Sequence, residues 1–388
     1  MGECIVGWAH SKFGKLADET VESLIVDVTN RALADAGLEA GDVDEVLLGH
    51  FNAGFSAQDF TASLVYQADP AFRFKPATRV ENACATGSAA IHQGLKSLRA
   101  KAARVVLVVG VEQMTTTPGP EIGRNLLKAS YLPEDGDIPG GFAGVFGVIA
   151  NKYFQRYGDK SDALARIAAK NHRNGVNNPY AQMQKDFGFE FCRTESEKNP
   201  FVAGPLKRTD CSLVSDGAAA IVMTDSTTAL GMKKAVAFRA AEHAQDFLPM
   251  SKRDILKFDG CAVAWDRARK SSGTTLDDLS FVETHDCFTI AELIEYEAMG
   301  LVPEGEGARA IEEGMTELDG RLPVNPSGGL KSKGHPIGAT GVSMHVITAM
   351  QLAGEAGAMQ IKNAELGGIF NMGGAAVANY VSILQAVR

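Results

Sequence analysis

The sequence contains no Cys-x-x-Cys pair. Its six cysteines, Cys4, Cys84, Cys192, Cys211, Cys261 and Cys287, are scattered along the chain. That spacing argues against a zinc site and against a secreted disulfide framework, and suits free thiols in a reducing compartment. No run of about 18 apolar residues occurs, so no membrane span is predicted. The start, Met1-Gly-Glu-Cys-Ile-Val-Gly-Trp8, has no basic region and no long apolar stretch, so no signal peptide is read there. A myristoylation start at Met1-Gly2 wants Ser or Thr at position 6, where Val6 stands. The last residues, Leu384 to Arg388, do not form a peroxisomal tripeptide, and a cytoplasmic location is expected. Positive charge is short as well. Against 47 Asp and Glu there are 38 Lys and Arg, a formal charge of −9, which disfavours a nucleic-acid binder but permits a local basic patch. Neither a P-loop nor a Gly-x-Gly-x-x-Gly fingerprint is present.

What is present is a soluble globular composition, 45% hydrophobic and 22% charged over 388 residues, enough for two domains or one large one. The chain reads as a diverged duplication. Near the start come a strand at Ile5–Trp8, an amphipathic helix over about 20–36 closed by Gly37, and a turn and strand over Asp42–Gly49. The second half repeats the order, with a strand at Ala235–Arg239, a helix over about 260–269, Gly273, and a turn and strand over Asp277–Glu283. Gly37 and Gly273, Asp42 and Asp278, and Val46 and Val282 share one offset of 236 residues. Arg104–Gly110 is a fully apolar run of strand length, as a covered central strand requires. Leu366–Phe370 and Ala376–Ile383 are its late counterparts. Alternating strands and helices predict two α/β units, residues 1–230 and 231–388. A polar stretch over about 115–204 is read as a loop subdomain inserted into the first.

Three segments carry chemistry. The first is Asn82-Ala-Cys84-Ala-Thr86-Gly-Ser88, a cysteine among small residues at the start of a predicted helix. Helix N-termini lower a thiol's pKa, and small neighbours admit a bulky thioester. A buried structural cysteine is the bland alternative. The second is Gly334-His335-Pro336-Ile-Gly338, where proline constrains the residue before it and so holds an imidazole on a fixed loop. Such a residue suits a general base; a plain loop histidine is the alternative. The third, His285-Asp286-Cys287-Phe288, follows a predicted strand and enters a helix, where side chains reach the carboxyl edge of an α/β sheet. Packing is its alternative, and metal ligation lacks further ligands at suitable spacing. A cysteine, a base and a proton shuttle are the minimum for acyl transfer through a thioester.

Together these segments resemble the thiolase superfamily over nearly the whole chain. Cys84 stands in its nucleophile motif and Gly334-His335-Pro336 in its Gly-His-Pro motif. Ser215-Asp-Gly-Ala-Ala is similar to the small-residue strand entry late in the family's first half. Two departures sharpen the resemblance. Most thiolases have Asn-Glu-Ala-Phe where this chain has His285-Asp-Cys-Phe288, and Cys-x-Gly where it has Asn371-Met-Gly373. Both changes resemble the sterol-carrier-protein-type thiolases and related archaeal and bacterial acetyl-CoA acetyltransferases, in which the histidine–aspartate–cysteine loop supplies the second thiol.

The resemblance implies two similar βαβαβαββ units packed as α-β-α-β-α layers with an inserted loop domain. It implies Cys84 as nucleophile, His335 as base and Cys287 as proton shuttle. His285 with His335 would serve one oxyanion site, and the backbone amides of Cys84 and Gly373 the other. Lys207, Arg208, Ser215, Lys331 and Lys333 are candidate substrate contacts, the basic ones for coenzyme A phosphates; solvated surface charge is their alternative. Coenzyme A is expected as substrate, with no metal or other cofactor. A homodimer or homotetramer is expected, with a small zinc-ribbon/OB-fold partner protein as a further prospect. The rival reading is a thiolase-like subunit of a condensing or aldolase complex with little thiolase activity of its own.

Overall fold

The computed structural model describes residues 2–387. Met1 and Arg388, and with them the readings of the Met1-Gly2 start and of the C-terminal arginine, lie outside the described residues. The strands are β1 (Cys4–His10), β2 (Glu45–Gly49), β3 (Ala77–Val80), β4 (Val105–Glu112), β5 (Phe201–Ala203), β6 (Leu206–Lys207), β7 (Gly217–Thr224), β8 (Val236–Gln245), β9 (Phe281–Glu283), β10 (Leu366–Gly373) and β11 (Ala378–Ala386).

The repeated residues do the same local work twice. The helix Val21–Ala36 starts where Thr20 Oγ1 accepts the Ser23 amide at 3.0 Å and Ser23 Oγ accepts the Thr20 amide at 2.8 Å, a reciprocal capping box. It stops at Gly37, whose φ of +69° is left-handed; its counterpart, Asp259–Ser272, stops at Gly273 with φ +70°. Asp42 then accepts the Glu39 amide at 2.9 Å, as Asp278 accepts the Thr275 amide at 2.7 Å. Val46 and Val282 follow in β2 and β9, both fully buried. The offset of 236 is thus one chain path drawn twice.

Nine strands form one sheet in the order β3-β2-β4-β7-β1-β8-β11-β10-β9. The first five come from the first half and the last four from the second. The wings meet through β1 and β8, which pair antiparallel at Cys4↔Ala237 and Ile5↔Val236. In each wing a parallel pair (β2 with β4, β9 with β10) leads to an antiparallel one (β4 with β7, β10 with β11). The second wing departs from the expected five strands. Its counterpart of β3 shrinks to a single bridge, Val282↔Val324. The cause is Asn325, whose φ of +55° turns the chain and whose side chain, not its backbone, takes the Thr284 amide at 2.8 Å.

Two helices, Thr86–Arg99 and Ile337–Leu352, pack against each other between the wings. In the second every residue but Met350 is buried, and apolar residues recur around its whole circumference, as a helix covered on all sides requires, with Ser343 and His345 hydrogen-bonded among them. The two approach backbone to backbone: a Cβ on Gly87 would lie 2.6 Å from the Val342 nitrogen, and one on Gly341 2.2 Å from the Ser88 nitrogen. Val21–Ala36 and Asp259–Ser272 cover the outer faces, which completes the layered α/β architecture.

Between β4 and β7 run the helices Gly119–Leu127, Gly141–Tyr157 and Ser161–Gly175 and the β5–β6 hairpin. Polar as it looks in sequence, this segment plunges polar groups into the second half. Lys170 is fully buried and pairs with Glu292 at 2.5 Å, and Asn171 donates to Asp286 at 2.8 Å. Among the described residues no helix is long and apolar enough to cross a membrane.

Candidate active site

Cys84 lies in the turn between β3 and the helix Thr86–Arg99. Ala83 before it has φ +49°, a conformation that costs about 1 kcal/mol or more in an L-residue and marks a sharp, over-determined turn. The turn is held by Asn82, whose amide donates to Thr86 Oγ1 at 2.8 Å and whose side chain donates to Tyr380 Oη at 2.9 Å. Gly373 permits the second half to close over it, since a Cβ there would sit 2.5 Å from the Asn82 carbonyl oxygen.

The other two segments arrive from the second half. The sulfur of Cys84 and ring nitrogens of His285 and His335 all lie within 4.8 Å of one another, and all three residues are buried. The two rings stand 5.0 Å apart at 80°. Cys287 lines the same cavity as Cys84 and His335. His335 Nδ1 lies 2.7 Å from Thr340 Oγ1, which itself donates to the Pro336 carbonyl at 2.9 Å. That hydroxyl proton is committed to a carbonyl, so Thr340 accepts from His335 Nδ1–H. The Nε2 lone pair of His335 is left free, and that atom has no partner in the protein.

Burial, not the helix dipole, dominates the electrostatics. The expected lowering of the Cys84 thiol is overturned: loss of water pushes it up to about 12, against a smaller lowering by the Gly374 amide. Burial, assisted by the Lys333 charge, holds His335 down at about 3. Resting Cys84 and His335 are therefore a neutral thiol and a neutral imidazole. Burial, then the neighbouring Cys84, raises the Cys287 thiol well above its ordinary range. The amides of Gly374 and of Cys84 itself act on the Cys84 sulfur, while Gly373, expected with the Cys84 amide at an oxyanion site, lies in register with Ala378 at the end of β10.

The substrate-contact candidates separate sharply. Lys207 is buried with its ammonium 3.2 Å from Asp210. Lys331 is buried and donates to the Cys211 carbonyl, and Lys333 is buried with no hydrogen-bond partner. All three are buried, and Lys331 still lines the cavity that carries Arg208. Ser215 is occupied too: its hydroxyl donates to Gln182 at 2.5 Å and accepts the His335 amide at 3.2 Å, which makes it a support for the base. Arg208 alone is exposed, beside Lys185 and Lys198 on a cavity that shares Leu213 with the cavity of Cys84. The Cys84 cavity, roughly 190 Å³, is walled by Met114, Leu126, Phe142, Leu213 and Phe288.

Three supports had no role assigned to them from the sequence. Asp286 accepts the amides of Leu330 and Lys331 at 2.6 and 3.1 Å. Glu112 at the end of β4 accepts the Gly338 amide at 3.0 Å and meets His50 at 3.1 Å. Asn371 donates to the Cys84 carbonyl at 3.1 Å and lies 2.9 Å from His285 Nδ1. Glu112 and Asn371 each carry a faint signal, a polar residue at the end of a strand otherwise apolar.

A thiol and an imidazole buried side by side, with a second thiol on the same apolar cavity of a duplicated α/β frame, define a cysteine acyltransferase. The chain belongs to the thiolase family: residues 4–227 match the thiolase N-terminal domain and residues 241–386 the thiolase C-terminal domain-like model. It is 36% identical over 378 residues to an acetyl-CoA acetyltransferase of Methanothermobacter thermautotrophicus, covering 95% of this chain and 96% of that one. To the sterol carrier protein 2 of Homo sapiens it is 33% identical over 391 residues, covering 95% of this chain and 69% of the relative. Its fold matches an Ltp2-ChsH2(DUF35) aldolase with a TM-score of 0.83 at 21% identity, covering 100% of this chain and 98% of that one. It also matches the Acat5 thiolase of Ascaris suum in complex with coenzyme A, with a TM-score of 0.74 at 17% identity and full coverage of both chains.

Proposed function

We propose that this protein transfers acyl groups between Cys84 and coenzyme A, cleaving 3-ketoacyl-CoA or condensing two acyl-CoA molecules in the manner of an acetyl-CoA acetyltransferase. The observation that carries this reading is the meeting of Cys84 with His285 and His335 within 4.8 Å, both histidines lying some 200 residues or more along the chain from the cysteine.

In the cleavage direction His335 Nε2 takes the Cys84 proton as the sulfur attacks the 3-keto carbonyl. The carbon–carbon bond breaks, its electron pair leaves as the enolate of acetyl-CoA, and Cys287 protonates it. The acyl group stays on Cys84. Coenzyme A then enters, gives its thiol proton to the Cys287 thiolate, and attacks the acyl carbon; Cys84 leaves and recovers its proton from His335. The neutral resting pair means that proton transfer accompanies attack and no thiolate stands ready beforehand. A thiol with a raised pKa suits Cys287, because its thiolate is basic enough to take a proton from coenzyme A.

The apolar wall of Phe142, Leu126 and Phe288 suits the acyl and pantetheine end, and Arg208 with Lys185 and Lys198 suits the phosphates. Coenzyme A is the substrate, and no other cofactor or metal enters the scheme. A homo-oligomer in a reducing, cytoplasmic setting belongs to the same proposal; free thiols at all six cysteines favour it. A small partner protein is a further part, favoured by the shape likeness to a chain of an Ltp2-ChsH2(DUF35) aldolase.

The test is direct. Acetyl-CoA should leave an acetyl group on the peptide that contains Cys84, and acetoacetyl-CoA with coenzyme A should be consumed. Purified protein that shows neither, alone or after addition of a partner, would overturn the reading.

A further inference from the structure

The two histidines of the site are held by different kinds of neighbour. His335 Nδ1 faces a hydroxyl that accepts. His285 Nδ1 faces the side-chain amide of Asn371, at 2.9 Å from Nδ2. The same Nδ2 lies 3.1 Å from the Cys84 carbonyl oxygen, an atom that only accepts. The amide cannot be turned round, because that would set Oδ1 against the carbonyl oxygen. Asn371 therefore donates one proton to Cys84 and the other to His285 Nδ1. A neutral imidazole that accepts at Nδ1 carries its proton on Nε2. His285 Nε2 is buried and unpartnered in the protein, and a ring nitrogen of His285 lies within 4.8 Å of the Cys84 sulfur.

We infer that Asn371 is a positioning residue that fixes His285 in the Nε2–H tautomer. The two imidazoles thereby enter the reaction as opposites, His335 a lone pair that accepts the thiol proton and His285 a donor aimed at the thioester or enolate oxygen. The inference rests on the acyl-transfer reading above and deepens it. It explains why a polar side chain sits in the buried strand β10, where hydrophobic residues would pack at less cost. A donor aimed at the oxygen in advance is the costlier and more effective arrangement, since it needs no rearrangement as charge develops.

Asn371→Asp reverses the demand, because a carboxylate only accepts. His285 would then hold its proton on Nδ1 and offer a donor at Nε2 only while it is an imidazolium. The expected result is a loss of about 100-fold or more in acetoacetyl-CoA cleavage at pH 8, the scale for one missing oxyanion donor. KM should change little. The lost rate should return as pH is lowered, a base-side limb that the native enzyme lacks. Nitrogen-15 spectra of histidine-labelled native protein, assigned with His285→Gln, should show His285 with Nδ1 unprotonated and Nε2 protonated. A His285 protonated at Nδ1 in the native protein would overturn the inference even if Asn371→Asp failed to fold. So would an Asn371→Asp enzyme with native rate and native pH profile. Acetylation of Cys84 separates the two readings. Native enzyme that never acquires the acetyl group sinks acyl transfer and this inference together, whereas normal acetylation with an unaltered Asn371→Asp profile sinks this inference alone.

Discussion

The carboxylate of Asp286 accepts the amide of Leu330 at 2.6 Å. One residue of the cysteine-bearing loop thus holds the start of the short helix Gly329–Lys333, and that helix ends at Gly334, the residue before His335. Burial pushes Asp286 up to about 7, and the neighbouring Glu292 adds to the rise. Asp286→Ala would leave two buried amides without acceptors, at about 1–3 kcal/mol each. A clear fall in melting temperature and slower acylation of Cys84 are expected. Asp286→Asn, which keeps an acceptor oxygen, should recover part of both.

Cys287 lines the Cys84 cavity, and the proposed mechanism gives it the carbon–carbon step. Cys287→Ala should still take an acetyl group from acetyl-CoA onto Cys84, yet lose about 100-fold or more of acetoacetyl-CoA cleavage, within the range for a removed general acid. Mass measurement of the acyl-enzyme beside a steady-state assay separates the steps. Full activity in this variant would remove the shuttle.

The neutral Cys84–His335 pair predicts a distinctive reactivity. Burial raises the thiol to about 12 and lowers the imidazole to about 3, so ionisation of the thiol in the substrate-free enzyme follows pH with no ion-pair plateau. The rate of iodoacetamide alkylation at Cys84 should climb through pH 6–9 without levelling near neutrality. Acetyl-CoA should protect. A plateau over that span would show a standing thiolate–imidazolium pair.

Gly373 lets β10 close on the turn that carries Cys84. In Gly373→Ala the new methyl would meet the Asn82 carbonyl at 2.5 Å, and backbone cannot rotate away. The turn must shift, and a shift of about 1 Å at the nucleophile costs on the order of 100-fold in rate. A loss of kcat out of proportion to the change in melting temperature is expected.

The duplication was legible because its signals are local. A glycine closing a helix and an aspartate capping a turn need only a few neighbouring residues. The three chemical segments were legible because their residue types are rare together. What escaped depends on burial. The sequence shows Lys331 and Lys333 as two charges in a glycine-rich loop, whereas the fold buries both. Cys84 looked like a thiol at a helix start, but the loss of water on burial raises its pKa by more than the neighbouring amides lower it. Asn371 looked like a missing cysteine. Its two donor bonds, to residues 287 and 86 positions away, exist only once the strands have paired.

The glycine contact of the two central helices has a consequence for how the enzyme admits its substrate. Gly87 lies three residues after the nucleophile, and Gly341 six after the base. Where main chain rests on main chain no side chain can act as a bearing, so the halves cannot swing apart like jaws without dismantling the catalytic pair. Entry then falls to the side chains that line the cavity away from that contact, Leu126, Phe142, Val202 and Leu213 among them. Variation in chain length among acyl groups should accordingly be written in those side chains.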